Sequence, residues 1–197
     1  MKFFKDNSYD IVRLYINNLG ISIFALMLYF AAGNIAKESA SGFKLVISIF
    51  SIGFLMALVY CAGWDFGTKD KIHIDAKKMT FDKYKGWKLA LLSNIPNFTF
   101  AFLSLVFLVI AHFSGSEGCQ VAFTVFYSIM SLTMSLYIGT VQAIASLFAL
   151  GNVGAYVLQG TLFIVLPIVV IASCAFGYHL GVQNKRIGDL FSKKEEE

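Results

Sequence analysis

Few side chains in this 197-residue sequence are placed to do chemistry. An ionisable group inside an apolar run is costly to hold in a membrane, so each one is a candidate for function. Arg13 stands one helical turn before Asn17, and Asp65 follows Trp64 at the end of an apolar run. If those helix ends are neighbours, Arg13 and Asp65 form a candidate ion pair with a structural rather than a catalytic role. Arg13 alone also reads as an interfacial anchor that snorkels to the headgroups. Asn94, Pro96 and Asn97 make a polar interruption early in another apolar run. A proline frees a carbonyl one turn earlier, which nearby asparagines can bond. The functional alternative is unwound backbone lining a polar cavity, as in the broken helices of transporters. Gln142 and Asn152 would complete that candidate cavity.

A second constellation is basic. Phe81, Tyr84, Trp87 and Leu91 fall near one helical face, with Lys77, Lys83 and Lys85 beside them. This pattern predicts a basic amphipathic helix entering the next apolar run, with Trp87 at headgroup level. Lys77, Lys78, Lys83, Lys85 and Trp87 are then the candidate docking surface, for anionic lipid or for a protein partner.

The remaining reactive types do not assemble into a site. His73, His112 and His179 lack the i, i+4 spacing of a helical metal site and have no carboxylate cluster. The three cysteines, Cys61, Cys119 and Cys174, fit neither a disulfide framework nor a zinc site. Hydrolysis needs a nucleophile, a base and an orienting partner, and no motif supplies them. No catalytic, cofactor-binding or metal-binding residue is therefore assigned, and no cofactor is expected. Asn97-Phe98-Thr99 matches a glycosylation sequon but falls inside an apolar run. Gly177 and Gly181 form a GxxxG, and Ala145 and Ala149 a similar small pair. Both are compatible with close helix packing or with a homo-oligomer.

These residues must be positioned by membrane helices. The chain is 57% hydrophobic and 14% charged, where soluble domains carry about 25% charged residues. Apolar runs near the length of a membrane span recur, which excludes a soluble enzyme, a nucleic-acid module and a disulfide-stapled secreted domain. The runs fall at 9–33, 43–64, 88–112 and 161–181, the last kinked at Pro167. A signal-peptide reading of the first run is weaker than that of a retained helix, because Asn17, Asn18 and Gly20 interrupt it. Residues 120–159 carry no charge and are harder to divide. Gly139-Thr140 and residues 151–154 are the candidate breaks. Ser131, Ser135, Gly139 and Ala143 make a small-residue stripe that suits one continuous helix instead.

Topology follows from lysine and arginine placement. Three lie before or early in the first run, two in the first loop, seven in the loop at 68–88 and four in the tail at 183–197, the full complement of 16. The N-terminus, the second loop and the tail thus belong in the cytoplasm. That requires an even number of crossings, with 120–159 crossing twice or dipping in and returning. Five simple spans are the alternative. Within the second loop, Lys71 to Asp75 alternates polar and apolar residues, and a short hairpin near Ala76-Lys77 is plausible.

Phe81-Asp82-Lys83-Tyr84-Lys85-Gly86-Trp87-Lys88, followed by Asn94-Ile95-Pro96, together with Gly177-Tyr178 and Gly181 before a basic tail, resembles a group of small multipass membrane proteins of Gram-positive-type bacteria. The resemblance covers about half the chain. It implies a bacterial inner-membrane protein with both termini in the cytoplasm, and it brings no activity or site residue. Size and helix content are also similar to the substrate-binding subunits of energy-coupling-factor vitamin transporters, but the alanine motif of their first helix is missing. The expectation is one integral membrane domain, an all-α bundle of five or six membrane helices. It would be a non-enzymatic accessory or subunit of a larger assembly in contact with lipid. The alternatives are a small-solute carrier or carrier subunit and, behind it, an intramembrane enzyme.

Overall fold

The computed structural model describes residues 2–35, 40–148, 151–185 and 187–188. They form helices throughout, with no strand among the described residues. A short α1 (Lys2–Asp6) leads into α2 (Ser8–Ile35), α3 (Ala40–Asp75) and α4 (Lys85–Ser114). Then come α5 (Glu117–Thr133), a 3₁₀ turn (Ser135–Tyr137), α6 (Ile138–Ser146), α7 (Asn152–Val165) and α8 (Pro167–Val182).

Four stretches are long and apolar enough to cross a membrane: Ser8–Ala31, Gly42–Asp75, Lys85–Ser114 and Val153–Val182. They hold 24, 34, 30 and 30 residues. About 20 helical residues cover a hydrocarbon core of about 30 Å, so each is long enough. Pro167 occupies the first position of α8, where its missing N–H costs nothing, and the chain breaks there for a single residue.

At three places the structure refines or corrects the sequence expectations. First, the stretch expected as a broken pair holds one: α5 and α6 meet at an 82° angle, so the spans number four, or five if that pair counts as one, and no sixth is found among the described residues. The bend falls at Met134, not at Gly139, and it splits the small-residue stripe between two helices. Second, residues 71–75 are the last turns of α3 and not a strand. The helix is supported there by the i, i+4 pair Lys69–Asp65 (3.0 Å). It ends in a left-handed residue, Lys77 (φ 57°), with the Lys77 and Lys78 N–H groups on the Ile74 and His73 carbonyls, each at 2.9 Å. Third, α4 begins only at Lys85, so residues 81–84 form a turn and not the first turn of an amphipathic helix.

The chain packs as two compact units that share the long helices. Unit 1 contains Met1–Tyr15, Met56–Ser93 and Val169–Glu197; unit 2 contains Ile16–Leu55 and Asn94–Ile168. In unit 1, α3 and α8 run parallel at backbone contact. A Cβ on Gly63 would collide with the Cys174 carbonyl oxygen, and one on Gly67 with that of Tyr178. Reciprocally, a Cβ on Gly177 or Gly181 would strike the carbonyl oxygens of Tyr60 or Trp64. Gly63 and Gly67 thus form a second GxxxG facing the first, and small residues here let backbones approach. Ser173 Oγ adds a hydrogen bond to the Met56 carbonyl (2.9 Å). Leu14, Phe66, Leu89, Ile171 and Cys174 fill the surrounding core.

In unit 2 the core is Leu55, Ala101, Met130, Met134, Leu136, Tyr137 and Phe163 around the α5–α6 bend. The carbonyls freed by the bend are satisfied from other helices. Ser22 Oγ donates to the Thr133 carbonyl (2.7 Å), and Ser48 Oγ (2.5 Å) and Tyr29 OH (3.4 Å) donate to that of Leu136. Ser135 Oγ returns a hydrogen bond to the Ser22 carbonyl. Irregular backbone at membrane depth is tolerated only when buried in protein in this way. Gly139 sits where a Cβ would strike the Lys44 carbonyl, so α6 packs directly on the start of α3.

Candidate functional site

The charged residues of unit 1 converge where α2 and α4 begin and α3 and α8 end. Asp70 is 7% exposed. Lys85 Nζ lies 2.8 Å from its Oδ2 and 2.9 Å from its Oδ1, and Tyr178 OH donates to Oδ2 at 2.8 Å. The sequence positions them simply. Asp70 continues the α3 face that carries Gly63 and Gly67 toward α8. Lys85 is the first residue of α4. Gly86 leaves room for the Tyr178 side chain, which lies 2.7 Å from where a Cβ would stand. Burying two charges is tolerable only because each finds the other and the carboxylate gains a hydroxyl.

One turn away, Arg13 Nη1 and Lys69 Nζ each lie 3.0 Å from Asp65 Oδ2, and Arg13 stacks over the Phe66 ring at 5.6 Å. Asp10, half-buried at the start of α2, lies in the field of Lys85, Lys69 and Arg13. Asp10, Asp65 and Asp70 therefore balance Arg13, Lys69 and Lys85. Such a balanced cluster clamps helix ends together; it holds no excess charge for a ligand.

The connection between α3 and α4 is different. Lys77, Lys78 and Lys83 are exposed, as are Phe81, Tyr84 and Trp87. Asp82 organises its end, accepting from the Tyr84 N–H (2.9 Å) and from Lys88 Nζ (2.6 Å). The Lys88 ammonium first, and the backbone N–H second, hold the Asp82 carboxyl below its usual value near 3.8. Lys83 and Trp87 line a groove of about 300 Å³ with Ala172, Ala175, Phe176 and His179 of α8.

Among the sequence-assigned residues, Arg13 and Asp65 are paired. Lys77, Lys78, Lys83 and Trp87 share the exposed connection, but Lys85 does not: it turns inward to Asp70, because a buried carboxylate outcompetes solvent for it. Of the candidate polar cavity, Asn94 and Asn97 come together. Asn94 and Asn97 are buried, and Asn94 Oδ1 accepts from Asn18 (3.1 Å) and Asn97 (3.5 Å). Pro96, however, lies within an uninterrupted α4, so no unwound backbone is presented there. Gln142 is exposed on α6, and the Asn152 side chain lies outside the described residues.

Sequence reasoning missed Asp70, Tyr178 and Asn18. A signal existed for Asp70, since positions 63, 67 and 70 share one helical face. None existed for Asn18 as a partner of Asn94, 76 residues away. Among the described residues, no three His, Cys, Asp or Glu side chains are grouped to hold a metal. Unit 2 also has a surface cavity of about 470 Å³ whose lining includes His112, Gln120, Thr124 and Tyr156.

Fold and site together define an all-α protein with helices able to span a membrane and a basic, aromatic connection between two of them. Comparison with family models, curated proteins and solved structures finds no match to this chain.

Proposed function

We propose that this is a multi-pass membrane protein with both ends on the side of the basic connection, acting as a non-enzymatic accessory or subunit of a larger membrane assembly. The observation that carries the reading is the division of charge in unit 1. The charges at the helix ends are paired, Asp70 with Lys85 in a buried position, while Lys77, Lys78 and Lys83 stand exposed on one connection with Phe81 and Tyr84, next to Trp87 at the start of α4. Cations beside interfacial aromatics suit docking and not chemistry.

The orientation has separate support. Arg13, early in α2, pairs with Asp65, late in α3. Trp64 Nε1 donates to the carbonyl of Lys185, just beyond the parallel α8 (2.9 Å). The start of α2 and the residue just beyond α8 are thus beside the basic end of α3, which favours an even number of crossings and a re-entrant α5–α6 pair. Fourteen of the 16 lysines and arginines then fall on one side, as the positive-inside rule requires.

The test is native mass spectrometry of the tagged protein extracted gently from its own membranes. A stoichiometric protein partner is expected, and K77Q/K78Q/K83Q should abolish its recovery while leaving membrane insertion intact. Recovery unchanged by the triple variant would remove the docking role. A second reading, a small-solute carrier, rests on the unit 2 cavity, where His112, Gln120 and Thr124 stand among apolar side chains. A retained small molecule with no protein partner would favour it.

A further inference from the structure

We propose that the groove between the start of α4 and α8 binds one anionic phospholipid, its phosphate held between Lys83 and His179. This rests on the membrane-spanning reading above and adds a ligand class to the basic face. The groove has the layout of a lipid at an interface. Along α8, Ala172, Ala175 and Phe176 offer an apolar strip that ends on His179, about 10 Å further along the axis at 1.5 Å per residue. Across from it, Trp87 is followed toward the loop by Lys83. Trp at headgroup level, with cations on the loop side and small apolar residues on the membrane side, is the arrangement that basic pockets between membrane helices use for acidic headgroups.

Charge complementarity selects the occupant. Among the described residues no carboxylate lines the groove, and the nearby Asp70 and Asp82 are committed, Asp70 to Lys85 and Tyr178, Asp82 to Lys88. The Gln183 side-chain amide nitrogen lies 2.8 Å from His179 Nε2. An imidazole has two ring nitrogens, so His179 adds a hydrogen-bonding group beside the Lys83 ammonium. Lys83 thus offers an ammonium, and His179 a ring nitrogen, to a phosphate. A zwitterionic headgroup would bring its own ammonium to the same lysine. The volume, about 300 Å³, admits a headgroup and leaves the acyl chains to lie over Ala172 and Phe176 in the bilayer.

The full chain, delipidated in mild detergent, would be titrated with phosphatidylglycerol, with phosphatidylcholine and with inorganic phosphate. Bound adducts are read by native mass spectrometry and stability by thermal shift. Phosphatidylglycerol should bind one to one and raise Tm, with phosphatidylcholine weaker by about fivefold or more, the equivalent of about 1 kcal/mol from the one lysine. K83Q/H179Q should erase that preference and leave phosphatidylcholine binding as it was, while K77Q/K78Q keeps it. Ala172→Phe, which fills the apolar strip, should lower retention of both lipids and so tests the groove without touching its charges. Equal binding of both lipids by the natural sequence, or a preference that survives K83Q/H179Q, overturns the proposal. A Tm rise with inorganic phosphate that matches the lipid's makes the ligand a free anion and also overturns it. Carbonate extraction of the same membranes separates the two readings, since a chain released by carbonate fails the membrane assignment itself.

Discussion

Lys85 and Asp70 show how much a single buried pair can decide. Their side chains are only 12% and 10% exposed. Removing one partner leaves a lone buried charge, and such losses cost about 3–5 kcal/mol. Asp70→Asn or Lys85→Met should therefore lower unfolding stability in a denaturant titration by that order. The double variant should recover most of the loss, because no unpaired charge remains. Tyr178→Phe removes one hydrogen bond to a charged group and should cost about 1.5–3 kcal/mol. Arg13→Gln should cost about 1 kcal/mol or less, since both partners of that pair are well exposed. The Arg13–Asp65 pair could be raised from sequence because Arg13 stands early in one apolar run and Asp65 at the end of the next. The buried pair could not. Lys85 reads as one lysine among seven in a basic loop, and Tyr178, which completes the site, is 108 residues from Asp70.

Helix contacts carry the next scale. The paired glycines of α3 and α8 leave no room for side chains, so Gly67→Val should destabilise by about 1–3 kcal/mol or more through overpacking. Gly20, in α2, has open space around it, and Gly20→Ala should be neutral or stabilising by up to about 1 kcal/mol. Thermal shift of both variants in one detergent checks the contrast; equal losses would refute the close contact. The start of α4 depends on pH. A carboxyl held below its usual value stabilises the fold above that value and loses this contribution as pH falls through its folded pKa. Amide protection at residues 82–88 should therefore drop as pH falls below about 4, and Asp82→Asn should remove that dependence. Both facing glycine motifs, Gly63–Gly67 and Gly177–Gly181, stand in the sequence as GxxxG. That they meet needs α3 and α8 side by side.

For the whole molecule the prediction concerns sidedness. Single cysteines at position 78 in the basic connection and at position 193 in the tail, in a chain with Cys61, Cys119 and Cys174 replaced, should be labelled from the same side of sealed vesicles. Labelling from opposite faces would mean an odd number of crossings. The sequence by itself determined the helical membrane class, because apolar runs near 20 residues have few other stable solutions. It also determined where basic charge gathers, since that is composition read along the chain. The tertiary structure alone decided the bend at Met134, against a small-residue stripe that favours one straight helix. The hydroxyls that stabilise the bend, on Ser22, Tyr29 and Ser48, come from 88 to 111 residues away. It alone turned Lys85 inward and kept α4 continuous through Pro96. A local pattern reports what a segment prefers; which polar group meets which across helices is settled only when distant segments pack.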